Sequence, residues 1–304
     1  MGAEALNLAL LAAAGAGVQV GAAIVASRFV VAEVPPLTLA MLRYAIGFLC
    51  LLPFALRTLR TLRPQVRGRD LAAMAALGTG QFGILIALLN WGLQSVPAAP
   101  AALLFSLFPL LTLLLAAGLG RERASGRLLL GVLLSILGVG LSLVPKLQAP
   151  AGGGWWGELA VLASAAVGAL CSVLYRPYLQ RYPTVPVSAF AMLASVLFLA
   201  VAALAEAWPA RLAAITPAAW AAVAFIGVSS GVGYFWWLYA LKHESPTRVT
   251  VFLALNPVTA AALGWAFLGE PLPAQMLAAV VLIGAGLWLA TRAPASEKRQ
   301  AAAG

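Results

Sequence analysis

The chain has 304 residues, 63% of them hydrophobic and 9% charged, with a mean hydropathy of +0.98. Soluble domains carry roughly 25% charged residues, so this composition excludes a water-exposed globular domain and points into a bilayer. The formal net charge of +10 would suggest a nucleic-acid partner in a soluble protein, but here the basic residues lie between apolar runs and need a different explanation.

Apolar runs long enough to cross roughly 30 Å of hydrocarbon, about 20 residues each, are predicted ten times. In the first half they fall at about residues 5–31, 37–56, 71–96, 98–120 and 128–145. The first run carries Glu4 in place of a basic leader and outlasts the typical 7 to 15 apolar residues of a secretory signal, so it reads as a permanent helix. In the second half the runs fall at about residues 157–175, 185–205, 217–241, 249–268 and 274–291. None alternates in hydrophobicity over about ten residues, which excludes a β-barrel. Cys50 and Cys171 fall inside apolar runs, where each reads as a small buried hydrophobe with no disulfide and no metal assigned.

With a cytoplasmic N-terminus, the even-numbered connections collect Arg57, Arg60, Arg63, Arg67 and Arg69, then Arg121, Arg123 and Arg127, then Arg176 and Arg181, then Lys242 and Arg248. The tail adds Arg292, Lys298 and Arg299, placing fifteen of the nineteen basic residues on one side. The positive-inside rule then puts both termini in the cytoplasm, and the charge implies no nucleic acid.

The two halves are related in sequence. Residues 91–143 lie on residues 239–291 at a constant offset of 148, with Pro109 on Pro257, Glu122 on Glu270 and Gly138 on Gly286. The same offset pairs Arg28 with Arg176, Pro35 with Pro183 and Gly83 with Gly231. Such a duplication is the architecture of a transporter. Five helices per copy is an odd number, so the second copy enters the membrane from the opposite face. The predicted fold is therefore an all-α integral membrane protein with ten transmembrane helices in two inverted five-helix repeats around a central cavity. The repeats are expected over residues 1–147 and 148–292, with residues 293–304 as a disordered cytoplasmic tail.

The stretch Leu268-Gly269-Glu270-Pro271, followed by Ile283-Gly284-Ala285-Gly286, resembles the bacterial drug/metabolite transporter superfamily, specifically its ten-helix EamA-type members. The first half repeats the pattern as Gly120-Arg121-Glu122-Arg123 and Ile136-Leu137-Gly138-Val139-Gly140, and the stretch from Pro36 to Arg43 looks like that family's second helix. The resemblance implies a cavity that opens alternately to each side and export of amino acids, aromatic ones among them, or related metabolites across the bacterial inner membrane. Multidrug export, or export of sugars or nucleotide precursors, stays open as an alternative within the superfamily.

Polar and aromatic residues inside the spans are the substrate-binding candidates, because at membrane depth they cost free energy unless they face a partner or water. These are Gln19, Gln81, Asn90, Trp91, Ser106, Ser164, Tyr234, Trp237 and Asn256. Tyr234 and Trp237 are three apart, share a helix face and suggest a ring-accepting pocket, whereas Tyr239 points elsewhere. Trp91 and Tyr239 lie near helix ends and fit an interfacial aromatic belt equally. Asn256 suits either a neighbouring carbonyl or a ligand.

Structural or gating roles are expected for Arg43, Pro109, Glu122, Gly138, Pro257, Glu270 and Gly286. Glu122 and Glu270 each stand where a helix begins, beside exposed N–H groups that a carboxylate stabilises by roughly 0.3–1 kcal/mol. Pro109 and Pro257 fall near the middles of the fourth and ninth spans and predict kinks. Gly131, Gly138 and Gly140, with Gly284 and Gly286, remove side chains where helices approach, as does the four-residue spacing of Gly17 to Gly21 and Gly227 to Gly231. Arg43 is expected to snorkel toward Glu33 and the near interface in preference to binding a carboxylate. Its equivalent at the offset is Ala191.

No Asp or Glu lies in the middle of a span, and His243 sits with Glu244 at a helix end, so movement without a proton relay is predicted. A membrane-embedded enzyme would need a nucleophile with a base, a carboxylate pair or clustered ligands, which this pattern does not offer. No cofactor is expected. The expected partners are a small-molecule substrate and the lipid bilayer, with the chain acting as a monomer or weak dimer.

Overall fold

A computed structural model describes residues 3–62, 66–119, 126–148, 154–244, 249 and 252–291. Glu122 and the predicted tail at 293–304 lie outside the described residues. The helices are α1 (Ala3–Val30), α2 (Pro36–Leu62), α3 (Gly68–Gly92), α4 (Ala98–Gly118), α5 (Gly126–Gln148) and α6 (Trp156–Arg181). They continue as α7 (Thr184–Ala202), α8 (Pro217–His243), α9 (Leu255–Leu268) and α10 (Ala274–Thr291). Among the described residues α1 to α4 and α6 to α8 are long and apolar enough to cross a membrane. The apolar stretches Leu133–Val144, Leu255–Leu268 and Ala274–Gly286, in α5, α9 and α10, are shorter.

Helix packing follows an exchange rule. α1 packs on α8 and α9, and its counterpart α6 packs on α3 and α4. α2 packs on α8, and α7 packs on α3, while α2 with α7, α4 with α9 and α5 with α10 pair counterpart with counterpart. The glycines show the rule at atomic scale, because lipid supplies no hydrophobic drive and close van der Waals packing must hold the helices together. A Cβ at Gly231 would stand 3.1 Å from Gly47 O and 3.6 Å from Cys50 Cβ, and one at Gly83 would meet Ser195 Oγ and Phe198 Cδ1 at 3.3 Å. Those are the same two contacts shifted by 148. At the seam of α5 and α10, a Cβ at Gly138 would lie 3.0 Å from Ala279 O and 2.7 Å from Ile283 Cγ1. One at Gly286 would lie 2.6 Å from both Gly131 O and Ser135 Oγ, the equivalent atoms of the other half. Ascending α5 therefore means descending α10, so these two helices run antiparallel.

Helix ends are held by side chains that cross between elements. Glu206 accepts from Leu37 N at 3.0 Å, Thr38 N at 2.8 Å and Thr38 Oγ1 at 2.8 Å, so it caps α2 from the far end of α7. Glu33 accepts from Thr216 N and Thr216 Oγ1, at the residue that caps α8. Asp70 at the start of α3 accepts from Arg181 Nη1 at 2.9 Å and Tyr182 OH at 2.6 Å, fastening it to the end of α6. Contrary to the expectation from sequence, Glu270 does not serve the helix that follows it. Its carboxylate accepts from Ala98 N at 3.0 Å and Ala99 N at 3.4 Å, at the start of α4. Gly269 makes this reach possible by turning the chain at φ +65, a backbone region that favours glycine.

The proline expectation holds for one helix and shifts for the other. Pro109 breaks α4 into Ala98–Phe105 and Phe108–Gly118, with the turn at Ser106 and Leu107. Pro257 stands in the first turn of α9, where proline is tolerated, after a 3₁₀ turn over Phe252–Ala254. It therefore marks the entry to a helix and not its middle.

Candidate functional site

Between the helices, α1, α2, α3, α4, α8 and the turn before α9 line a half-open cavity whose empty space is about 630 Å³ when the solvent at its mouth is counted. α1 contributes Ala16, Gln19, Val20 and Ile24, and α2 contributes Arg43 and Tyr44. From α3 come Gln81, Phe82, Leu85, Ile86 and Leu89, and from α4 Phe105 and Phe108. The second half supplies Ser230, Gly233, Tyr234, Trp237 and Leu253. Both halves thus wall one space, which is mostly apolar with a few convergent polar groups, as in other small-molecule sites.

Two local irregularities put the key side chains there. α3 widens into a π turn over Thr79–Ile84, and Gln81 and Phe82 stand on it. Such a turn inserts a residue into the helical register and is frequent at functional sites. The break at Pro109 turns Phe105 and Phe108 into the cavity, their rings 5.6 Å apart. The rings form two groups. Phe82 stands 4.7 Å from Tyr44 and 4.1 Å from Tyr234, and Phe108 meets Trp237 edge-on at 6.0 Å.

Of the sequence candidates, Gln19, Gln81, Tyr234 and Trp237 line this cavity. Gln19 Nε2 donates to Ser229 Oγ at 3.2 Å, and Gly233 leaves the room for it, since a Cβ there would meet Gln19 Oε1. Gln81 Oε1 is buried with no hydrogen-bond partner among the described residues. The other candidates lie elsewhere. Asn90 is fully buried and donates to Pro36 O at 3.1 Å, tying α3 to the start of α2. Trp91 is 48% exposed on the outer surface, in keeping with a belt residue. Ser106 donates to Leu103 O at 2.6 Å inside the α4 break, and Ser164 to Val161 O at 2.7 Å within α6, so both hydroxyls serve local carbonyls. Asn256 is fully buried beneath Gly21, its side chain without a partner among the described residues.

Arg43 departs most from expectation. It does not snorkel to Glu33, whose carboxylate is held by Thr216. It is 5% exposed, lines the cavity, and donates from Nε to Ser230 Oγ at 2.7 Å, with its guanidinium 5.4 Å from the Tyr44 ring centroid. Among the described residues no carboxylate pairs with it. A charge within an apolar span is costly unless it meets a partner or water, so a buried arginine without a counterion calls for another use. Tyr44, Phe82, Phe105, Phe108 and Ser230 were missed by sequence reasoning. Only the placing of Tyr44 beside Arg43 and the spacing of Phe105 and Phe108 around Pro109 offered a signal.

A family model described as the EamA-like transporter family matches the chain twice, over residues 7–144 and 155–292. A protein of Streptantibioticus cattleyicolor described as "Probable terminal-alkyne amino-acid exporter" is 32% identical over 236 residues, which are 77% of this chain and 78% of its own length. An uncharacterized transporter of Archaeoglobus fulgidus is 26% identical over 277 residues, 90% of this chain and 94% of its own. A solved crystal structure of a protein matches with a TM-score of 0.67 at 23% identity, covering 96% of this chain and 97% of that one, which shows a shared fold.

Proposed function

The chain belongs to the EamA-like transporter family, and from that premise we propose that it exports amino acids or related small metabolites by alternating access. The observation that carries this reading is the central cavity walled by both halves of the chain. In repeat-built transporters the substrate lies between repeats, and rocking one half against the other opens it to each side in turn. The proposed architecture is ten membrane-crossing helices in two inverted repeats, residues 1–147 and 148–292. The antiparallel crossing of α5 and α10 through equivalent glycines supports it, since it is what a two-fold axis lying in the membrane plane would produce. The charge distribution supports cytoplasmic termini in the bacterial inner membrane.

Among the described residues no Asp or Glu lines the cavity, which favours movement down the substrate gradient over proton exchange and disfavours cationic drugs as cargo. The relative described as an amino-acid exporter favours amino acids within the metabolite class. The test is counterflow in liposomes holding the purified protein, with a panel of labelled amino acids and unrelated metabolites. Exchange above empty liposomes without an imposed proton gradient is expected. Silence across the panel overturns the exporter reading, and exchange that requires the gradient overturns the facilitated mode.

A further inference from the structure

We propose that Arg43 is the anchor for a substrate carboxylate, so that the cavity selects small organic acids, amino acids included, whose apolar body lies among the surrounding rings. This assignment rests on the transport reading of the same cavity and narrows its substrate class.

Three observations carry it. First, the guanidinium presents five N–H donors, and among the described residues only Ser230 Oγ takes one of them, from Nε. The two Nη groups are left for a planar, two-oxygen acceptor at the cavity wall, the geometry in which arginine binds carboxylates most strongly. Second, among the described residues no carboxylate lines the cavity beside it, and three glutamates of the bundle are engaged elsewhere. Glu33 and Glu206 hold the starts of α8 and α2, and Glu270 holds the start of α4. Third, the scaffold does not require the cation. The positions equivalent to Arg43 and Ser230 in the other half are Ala191 and Phe82, both buried, so the corresponding part of the bundle is built without an ion. Arg28 shows what a structural arginine does in this fold, donating to Leu93 O and Gln94 O at a helix end. Arg43 makes no such bond to the backbone among the described residues.

The tail of the acid meets Tyr44, Phe82 and Tyr234 beside the guanidinium and Trp237 beyond them. A substrate amino group is accommodated by Gln81 Oε1, which lacks a partner among the described residues, and is not the selected charge.

The experiment is ligand-induced thermal stabilisation of the purified full chain in detergent, which reads binding without transport. The probes are L-phenylalanine, 3-phenylpropionate, L-phenylalanine methyl ester and phenethylamine, with a matching series on a leucine skeleton. Both carboxylates of at least one series are expected to protect, with affinities within about fivefold of each other, while ester and amine bind at least about tenfold more weakly. R43Q is expected to lose the carboxylate response and R43K to keep part of it. Equal protection by acid and ester, an unchanged response in R43Q, or no protection by any of the carboxylates overturns the assignment. The wild-type comparison of acid with ester stands even if R43Q does not fold. Carboxylate binding without counterflow would overturn the exporter reading alone, and counterflow of neutral or cationic solutes only would overturn the Arg43 assignment alone.

Discussion

Arg28 and Glu270 stand 3.9 Å apart, yet both direct their hydrogen bonds into the turn between α3 and α4 that lies between them. Arg28 takes the carbonyls that end α3, and Glu270 takes the N–H groups that start α4. One charged pair from α1 and the α9–α10 turn thereby satisfies two helix ends of opposite polarity, each charge on the sign of dipole it suits.

The cap should therefore matter more than the ion pair. Glu270→Ala is expected to lower stability by about 1–2 kcal/mol, the usual cost of a lost N-terminal cap. Glu270→Gln keeps an acceptor for Ala98 N and loses only a long, partly solvated pair, so a drop below about 1 kcal/mol is expected. Thermal unfolding of the two variants in detergent separates the cases, and equal losses would contradict the capping role.

Glycines at the repeat seam should tolerate a methyl group unequally. In Gly286→Ala the new Cβ would meet backbone at Gly131 O, 2.6 Å away, and a loss of about 1–3 kcal/mol is expected from overpacking. Gly140→Ala places its Cβ in open space and is expected to be neutral or stabilising by up to about 1 kcal/mol. Melting temperatures measured side by side check the order, and a reversal would remove the close contact of α5 with α10.

Inverted repeats place equivalent positions on opposite faces. Val66 and Ala214, related by the offset of 148, are both exposed, outside the ends of α3 and α8. In a background lacking Cys50 and Cys171, V66C is expected to react with an impermeant maleimide only after permeabilisation, and A214C in intact cells. Labelling of both from one side would refute the inversion.

Trp237 closes the cavity against Phe108 and should favour cargo with a ring. Trp237→Ala is expected to raise the half-saturating concentration of an aromatic substrate about fivefold, equivalent to about 1 kcal/mol, with a smaller change for an aliphatic one. Counterflow with both substrates in parallel measures the difference, and unchanged transport of each would remove Trp237 from the site.

The site was half legible. Tyr234 and Trp237 could be placed on one wall because an interval of three in a helix fixes a shared face whatever surrounds it. Asn90, Ser106 and Ser164 could not be sorted the same way. A hydroxyl or amide inside a span looks identical in sequence whether it meets a ligand or a carbonyl of its own or another helix, and these three meet Pro36, Leu103 and Val161. Phe82 looked like any apolar residue, because the π turn that presents it to the cavity leaves no mark in hydrophobicity.

The sequence by itself determined that this protein lives in a bilayer, that its halves are copies, and which family it joins. The first two follow from run length and repeated spacing, which are local or periodic, and the family from the resemblance carried by the motifs around Glu270 and Gly286. Only the tertiary structure decided where Arg43 and Glu270 act. A long side chain can serve its own helix end, the interface or a distant element, and that choice depends on which acceptors the packed helices bring within about 3 Å. For Glu270 these are Ala98 and Ala99, and for Arg43 the acceptor is Ser230, beside the cavity that both halves enclose.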